Sequence, residues 1–215
     1  MKGRSKEGGA AAEGELSPLE SAPATEVEAG LSPVTLDPPQ PQAQSPTAGR
    51  LARAEEHLAA GHYVEAMEQF NAALSADSTN LEAMLGLGAT YLAQAQYDPA
   101  EKEFRRILKQ WPNNLESLHQ LGVTLYRRGV YAGAAQQLRR AVEIDPENGP
   151  SYLVLGEALN QVGDSDGAIE ALETALRLQP ENGKAFYALG IAYDRKGQPE
   201  RAAEMYRRSR EVGGR

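Results

Sequence analysis

The sequence predicts an all-α solenoid of five helix-turn-helix units in tandem, preceded by a disordered N-terminal tail. Three observations carry this expectation. From residue 47 onward, apolar and small residues recur with a period of 34, without insertion or deletion. Within each period the apolar residues fall twice at helical spacing. Residues 1–46 show neither property.

The tail comes first. It holds seven of the chain's 13 prolines, no Phe, Tyr or Trp, and seven acids against three bases. Its larger aliphatics, such as Leu16, Leu19, Val27 and Leu36, keep no sustained period, so too little apolar surface is available to offset the entropy of ordering. PPQP at Pro38 to Pro41 fits P-x-x-P, and Ser17, Ser32 and Ser45 each precede a proline. In so proline-rich a stretch these patterns follow from composition, and we read the segment as a solvating linker rather than a docking or phosphorylation site.

The repeat divides residues 47–215 into units 47–80, 81–114, 115–148, 149–182 and 183–215. Gly88, Gly122, Gly156 and Gly190 lie 34 apart, as do the leucines before them. Ala66, Ala100, Ala134, Ala168 and Ala202 keep the same interval, followed four residues on by Phe70, Phe104, Leu138, Leu172 and Tyr206.

Unit one is the least regular, with Arg50, Ala54 and His57 in its first helix and Ser78 at its close, where later units have Pro112, Pro146 and Pro180. In unit two, Met84, Leu87, Gly88 and Tyr91 mark one helix face. A turn at Ala95 to Asp98 leads to Pro99, expected at the first position of the next helix, where the missing N–H costs nothing. Ala100, Phe104, Ile107 and Leu108 form the second stripe, and Pro112 ends it, because the residue before a proline is pushed out of the α region. Units three to five repeat this order, with Gly129, Gly163 and Gly197 in the inner turns and Asp164 or Ser165 as a cap. Gly88, Ala100 and their counterparts stand where the two helices of a unit should cross closely. One pair of helices cannot enclose a core, so stability must come from stacking.

Composition narrows the chemistry. With no Cys there is no disulfide framework, thiolate metal site, thiol nucleophile or acylated cysteine. A net charge of −8 argues against a nucleic-acid partner, which requires a basic excess. No secretion signal follows Lys2, Arg4 and Lys6, and no apolar run is long enough to span a bilayer, so the expected location is cytoplasmic. His57, His62 and His119 fit no metal-ligand spacing. DSDG at Asp164 to Gly167 lacks the remaining ligands of a calcium loop. GLG at Gly86 to Gly88 lacks a dinucleotide fingerprint, and no nucleophile triad has a scaffold. The expectation is no metal, no cofactor and no enzymatic activity.

The repeat resembles the tetratricopeptide family, whose signature of Leu-Gly, a later Tyr, then Ala, an aromatic or Leu, Ala and Pro appears as Leu87, Gly88, Tyr91, Ala100, Phe104, Ile107 and Pro112. The resemblance implies a right-handed superhelix whose first helices line a concave groove. It covers about four fifths of the chain. At the far end, Ser209 and Arg210 replace an Ala-Leu type pair, as suits a terminal unit facing water.

By the same resemblance, a partner should meet Leu85, Ala89 and Leu92 in unit two, and His119, Val123 and Tyr126 in unit three. Leu153, Glu157 and Asn160 follow in unit four, and Tyr187, Ile191 and Asp194 in unit five. Leu92 can alternatively pack between units. The columns are apolar in units two and three and turn polar and acidic beyond, which implies a protein or peptide partner, apolar with a basic end. The carboxylate clamp of chaperone-binding members is absent for want of its cations. The Asn ladder of some glycosyltransferase arrays is absent too, its column reading Ala52, Gly86, Gln120, Val154 and Ala188. Paired arginines at 105–106, 139–140 and 207–208 fall on the outward side and read as a solvated, ion-paired face. The expected function is a non-catalytic interaction scaffold. The alternatives are an accessory factor of a bacterial surface machine, or a regulatory subunit of a separately encoded enzyme.

Overall fold

The computed structural model describes residues 46–213. The tail expectation therefore lies outside the described residues, except that Pro46, assigned to the tail, opens the first helix. Ten helices follow one another, and no strand occurs among the described residues: α1 (Pro46–Ala59), α2 (Tyr63–Ala76), α3 (Leu81–Ala93), α4 (Tyr97–Gln110), α5 (Leu115–Arg127), α6 (Tyr131–Ile144), α7 (Gly149–Val162), α8 (Ser165–Leu178), α9 (Gly183–Arg195) and α10 (Pro199–Gly213). They pair as the 34-residue frame requires, odd-numbered first helices with even-numbered second ones. The fold is the all-α solenoid of five helix-turn-helix repeats.

Local chemistry sets each boundary. Asn80, Asn114, Asn148 and Asn182 cap the first helices of units two to five, each side chain accepting from the backbone N–H three residues on, at 2.8–3.1 Å. Such a cap contributes about 1 kcal/mol. Asp164 caps α8, accepting from the Gly167 N–H at 2.9 Å, as expected. The inner turns at Gly61, Gly129, Gly163 and Gly197 adopt positive φ. Unit two places Ala95 in this role at φ 57°, a left-handed conformation that strains an L-residue.

One detail corrects the sequence reading. Pro99 is the third residue of α4, not the first. The third position still lies within the turn whose N–H groups have no helical partner, so the ring is accommodated. Unit one closes with Ser78 in place of the proline, in a turn held by Asp77, whose carboxylate accepts from both the N–H and the hydroxyl of Thr79 at 2.9 and 2.8 Å, as Asp145 accepts from the Glu147 N–H beside Pro146 at 3.0 Å. The two bonds from Thr79 hold the Asp77 carboxyl below its ordinary pKa.

The glycine column is a packing requirement. A Cβ on Gly88 would stand 2.7 Å from the Phe104 ring, one on Gly122 2.5 Å from Leu138, one on Gly156 2.4 Å from Leu172, and one on Gly190 2.5 Å from Tyr206. Gly86 makes the equivalent contact across a unit boundary, 2.2 Å from Phe70. Large residues of the second helices thus fill the space that the glycines vacate, and Ala66, Ala100, Ala134 and Ala168 are fully buried beside them. The core runs without interruption from unit two to unit five, while Leu51, Ala54, Phe70 and Ala73 of unit one form a smaller cluster with Ala83 and Leu87.

The stack has an inside and an outside. Cα atoms of successive first helices approach within 8 Å of one another along the whole series, and those of successive second helices do not. A layer drawn together on one side and spread on the other curves, so α1, α3, α5, α7 and α9 form the inner, concave layer.

Candidate partner-binding face of the first helices

The twelve expected partner-facing residues lie on α3, α5, α7 and α9 of the inner layer. Their environments fall into three groups. Leu85, Val123, Tyr126 and Leu153 are half-buried, one side packed on the core and the other open, and Ala89, His119, Glu157 and Ile191 are half-buried as well. Tyr187 and Asp194 are exposed, Tyr187 at 57%. Leu92 and Asn160 are buried, and the expectation that they face a partner needs correcting. Leu92 is 7% exposed and belongs to the core, the alternative weighed above. Asn160 is 2% exposed, and its Nδ2 donates to the Ala188 carbonyl of α9 at 2.8 Å.

Asn160 shows why these columns are ambiguous in sequence. They sit where one first helix meets the next, so each residue divides its surface between the neighbouring unit and the groove. His119 does the same: its Nδ1 lies 2.8 Å from the Ser151 hydroxyl of α7. Burial pulls its imidazole below the ordinary pKa, so the neutral ring is favoured.

The open apolar surface is concentrated on α3, α5 and α7. Leu85, Val123, Tyr126 and Leu153 all rest against the main core. Tyr126 stacks at an angle on Tyr131, ring centroids 5.6 Å apart, which fixes its orientation. Its phenol is pushed up in pKa by burial and by the nearby Glu157 carboxylate. Glu157 is mostly buried and makes no hydrogen bond or ion pair. Burial raises its pKa, and Lys184 on α9 only partly offsets this. A carboxylate desolvated in this way and only partly offset by Lys184 is costly, and a cationic group brought closer to it would relieve that cost.

Toward the C-terminal end, Tyr187 and Tyr206 rings stand 5.6 Å apart, and the Tyr206 hydroxyl donates to Asp194 at 2.7 Å. Burial and that bond lift the Tyr206 phenol to about 12. Ser209, expected to face water, is half-buried and donates to the Gly183 carbonyl at 2.8 Å, tying α10 to the start of α9.

The paired arginines on the outer layer divide into two kinds. Arg106 and Arg140 reach back to the preceding inter-unit turn and donate to the carbonyls of Ser78 and Pro112, each at 2.7 Å. Arg105, Arg139 and Arg208 pair with Glu101, Asp164 and Glu204 at 2.7, 3.5 and 3.5 Å. The turn-stapling role escaped the sequence reading, as did the capping asparagines. The asparagines were within reach, because they repeat strictly in the 34-residue frame. Among the described residues, no group of three His, Asp or Glu side chains could hold a metal ion, and no helix is long and apolar enough to cross a membrane.

Comparison with known proteins places these features. Two family models described as tetratricopeptide repeat match residues 57–122 and 153–213, together more than half of the chain. A third, described as anaphase-promoting complex, cyclosome, subunit 3, matches residues 93–175. No curated protein matches the sequence. Among solved structures, MamA AMB-1 is 27% identical with a TM-score of 0.69, over 77% of this chain and 98% of that one. The MamA RS-1 ArsTM double mutant is 24% identical with a TM-score of 0.72, over 80% and 97%. YrrB, described as a TPR protein with an unusual peptide-binding site, is 24% identical with a TM-score of 0.66, over 76% and 84%. Phased glycines, capped first helices and these matches agree: the chain belongs to the tetratricopeptide repeat family.

Proposed function

We propose that this protein is a non-catalytic interaction scaffold that holds a peptide segment of a partner protein against the concave face of α3, α5 and α7. The observation that supports it best is the juxtaposition of Val123, Tyr126 and Leu153, half-open on the inner layer, with the unpaired, mostly buried Glu157. Apolar side chains and a lone carboxylate together suit a segment with an aliphatic or aromatic residue followed by Lys or Arg. Tyr126 is the anchor, because an aromatic ring held in place by a neighbour buries much area at small entropic cost. Ile191 and Tyr187 extend the surface, and Asp194 offers a second carboxylate at its far end.

The test is a selection from a random peptide library on the immobilised full chain, followed by affinity measurement on variants. The expected motif has an apolar residue and a cation. Val123→Gln should weaken such a peptide at least about tenfold, and Glu157→Gln should remove the preference for the cation. Arg139→Glu, on the outer layer, should change neither. Selection of peptides that bind both inner-layer variants as tightly as wild type would overturn the proposal.

A further inference from the structure

The outer layer is not uniform in charge. α2 carries Glu65 and Glu68 and no cation, and α8 carries three acids against Arg177. α4 instead carries Lys102, Arg105, Arg106 and Lys109 against Asp98, Glu101 and Glu103. With α6 and the end of α5 it borders a cleft of about 840 Å³ on the outer side of units two and three. Six cations line this cleft against the carboxylates of Asp98 and Glu101.

The pairing within it decides what is left over. Arg128 bridges Asp98, at 3.0 Å, and Glu101, and Arg105 takes the other oxygen of Glu101. Both lining carboxylates are thereby engaged. Arg106 and Arg140 hold the turn carbonyls described above. Lys102 and Lys109 remain exposed, with no hydrogen bond or ion pair. They lie seven residues apart on one helix, which sets them about 10 Å apart along its axis. Half-buried Leu108 lies in the wall of the cleft between α4 and α6.

We propose that this cleft is a second interaction surface, which takes an acidic segment of a partner protein. Two carboxylates four residues apart, on one face of an extended strand and about 13 Å apart along it, come within reach of the long Lys102 and Lys109 side chains. The residue midway between them faces the same side, and an aliphatic side chain there turns toward the cleft wall to which Leu108 belongs. A nucleic acid fits worse, since its evenly spaced phosphates would meet Asp98 and Glu101 at one end and a chain of net charge −8 around them. The cleft lies on the helix layer opposite the concave face, so the two surfaces can be occupied together and the protein can bridge two partners. It does not depend on the concave face being a binding site.

The experiment titrates the full chain into a fluorescein-labelled peptide containing Gly-Glu-Thr-Leu-Thr-Glu-Gly and follows anisotropy. The same peptide with Gln for both Glu, and a single-stranded oligonucleotide of equal charge, serve as comparisons. At about 50 mM salt the acidic peptide should bind, and at about 300 mM salt it should bind more weakly. The Lys102→Gln/Lys109→Gln variant should bind at least about tenfold more weakly while melting like wild type, because neither lysine has a partner to lose. Val123→Gln should bind normally. Undiminished binding by the lysine variant, no binding at low salt, or equally tight lysine-dependent binding of the oligonucleotide would each overturn the proposal.

Discussion

Asn160 and Asp194 occupy the same position in successive units, yet one is 2% exposed and the other is open to solvent. The same contrast separates Leu153, half-buried, from Tyr187, 57% exposed. In each pair the difference is the next unit: α9 lies over the α7 residues, and among the described residues no further first helix lies over those of α9. A position on the inner layer is therefore interface or surface according to what is stacked beside it. On the proposed function, the partner-binding face is the part that the neighbouring unit leaves uncovered.

Stacking should dominate the energetics, and the sharpest way to break it is through the glycine column. Gly122→Leu puts a side chain where even a Cβ would stand 2.5 Å from Leu138. Overpacking of this kind costs about 1–3 kcal/mol or more, so the variant should lose a large part of its denaturant midpoint, and a wild-type midpoint would contradict the helix crossing. Next comes the pair that defines the contrast. Asn160→Ala abandons the Ala188 carbonyl inside an interface and should cost about 1–2 kcal/mol. Asp194→Ala, at the equivalent exposed position, gives up only the solvent-exposed bond from the Tyr206 hydroxyl and should cost less, at most about 1 kcal/mol, and equal effects in chemical denaturation would refute the distinction.

A smaller gain is expected at the inner turn of unit two. Ala95 holds the positive φ that other units give to glycine, so Ala95→Gly should stabilise the protein by up to about 1 kcal/mol. Gly129→Ala, the reverse change in unit three, should destabilise it by a similar amount.

The smallest effect is a pH dependence. Burial depresses the pKa of His119, so the unfolded chain binds a proton more readily than the folded one. Stability from this group is present above the ordinary histidine pKa of about 6.5 and is lost as pH falls through that value toward the depressed one. His119→Gln should reduce the fall in melting temperature on acidification from about pH 7.5 to about pH 5.5. Glu157 works in the opposite sense, because its raised pKa makes the folded state the stronger proton binder, and stability grows as pH falls through that raised value.

How much of this was legible before the structure depends on how far apart the interacting residues lie. The close crossing of the two helices at Gly88, Ala100 and their counterparts follows from helical spacing and the fixed period, whereas the side chains that fill it, Leu138 over Gly122 and Phe104 over Gly88, come from the structure. The columns of Leu92 and Asn160 were not resolved, because their burial depends on how closely one first helix approaches the next, a distance that no local pattern encodes. The capping asparagines show a different kind of miss. Asn80, Asn114, Asn148 and Asn182 repeat as strictly as the glycines, but attention to apolar periodicity passed over a polar column whose chemistry is local. Arg106 and Arg140 were placed on the correct side, while their turn carbonyls, 28 residues back, were out of reach of any helix-surface rule.

The central claim is that the uncovered apolar surface beside Glu157 is where a partner segment binds. It is tested most directly by the affinity of a library-selected peptide for wild type and Val123→Gln, with the melting temperature of both proteins recorded alongside. A loss of at least about tenfold in affinity with nearly unchanged melting is the expected result, because Val123 is half-open and its replacement carries no charge. Unchanged affinity, or a loss that merely tracks a collapse in melting temperature, would contradict it.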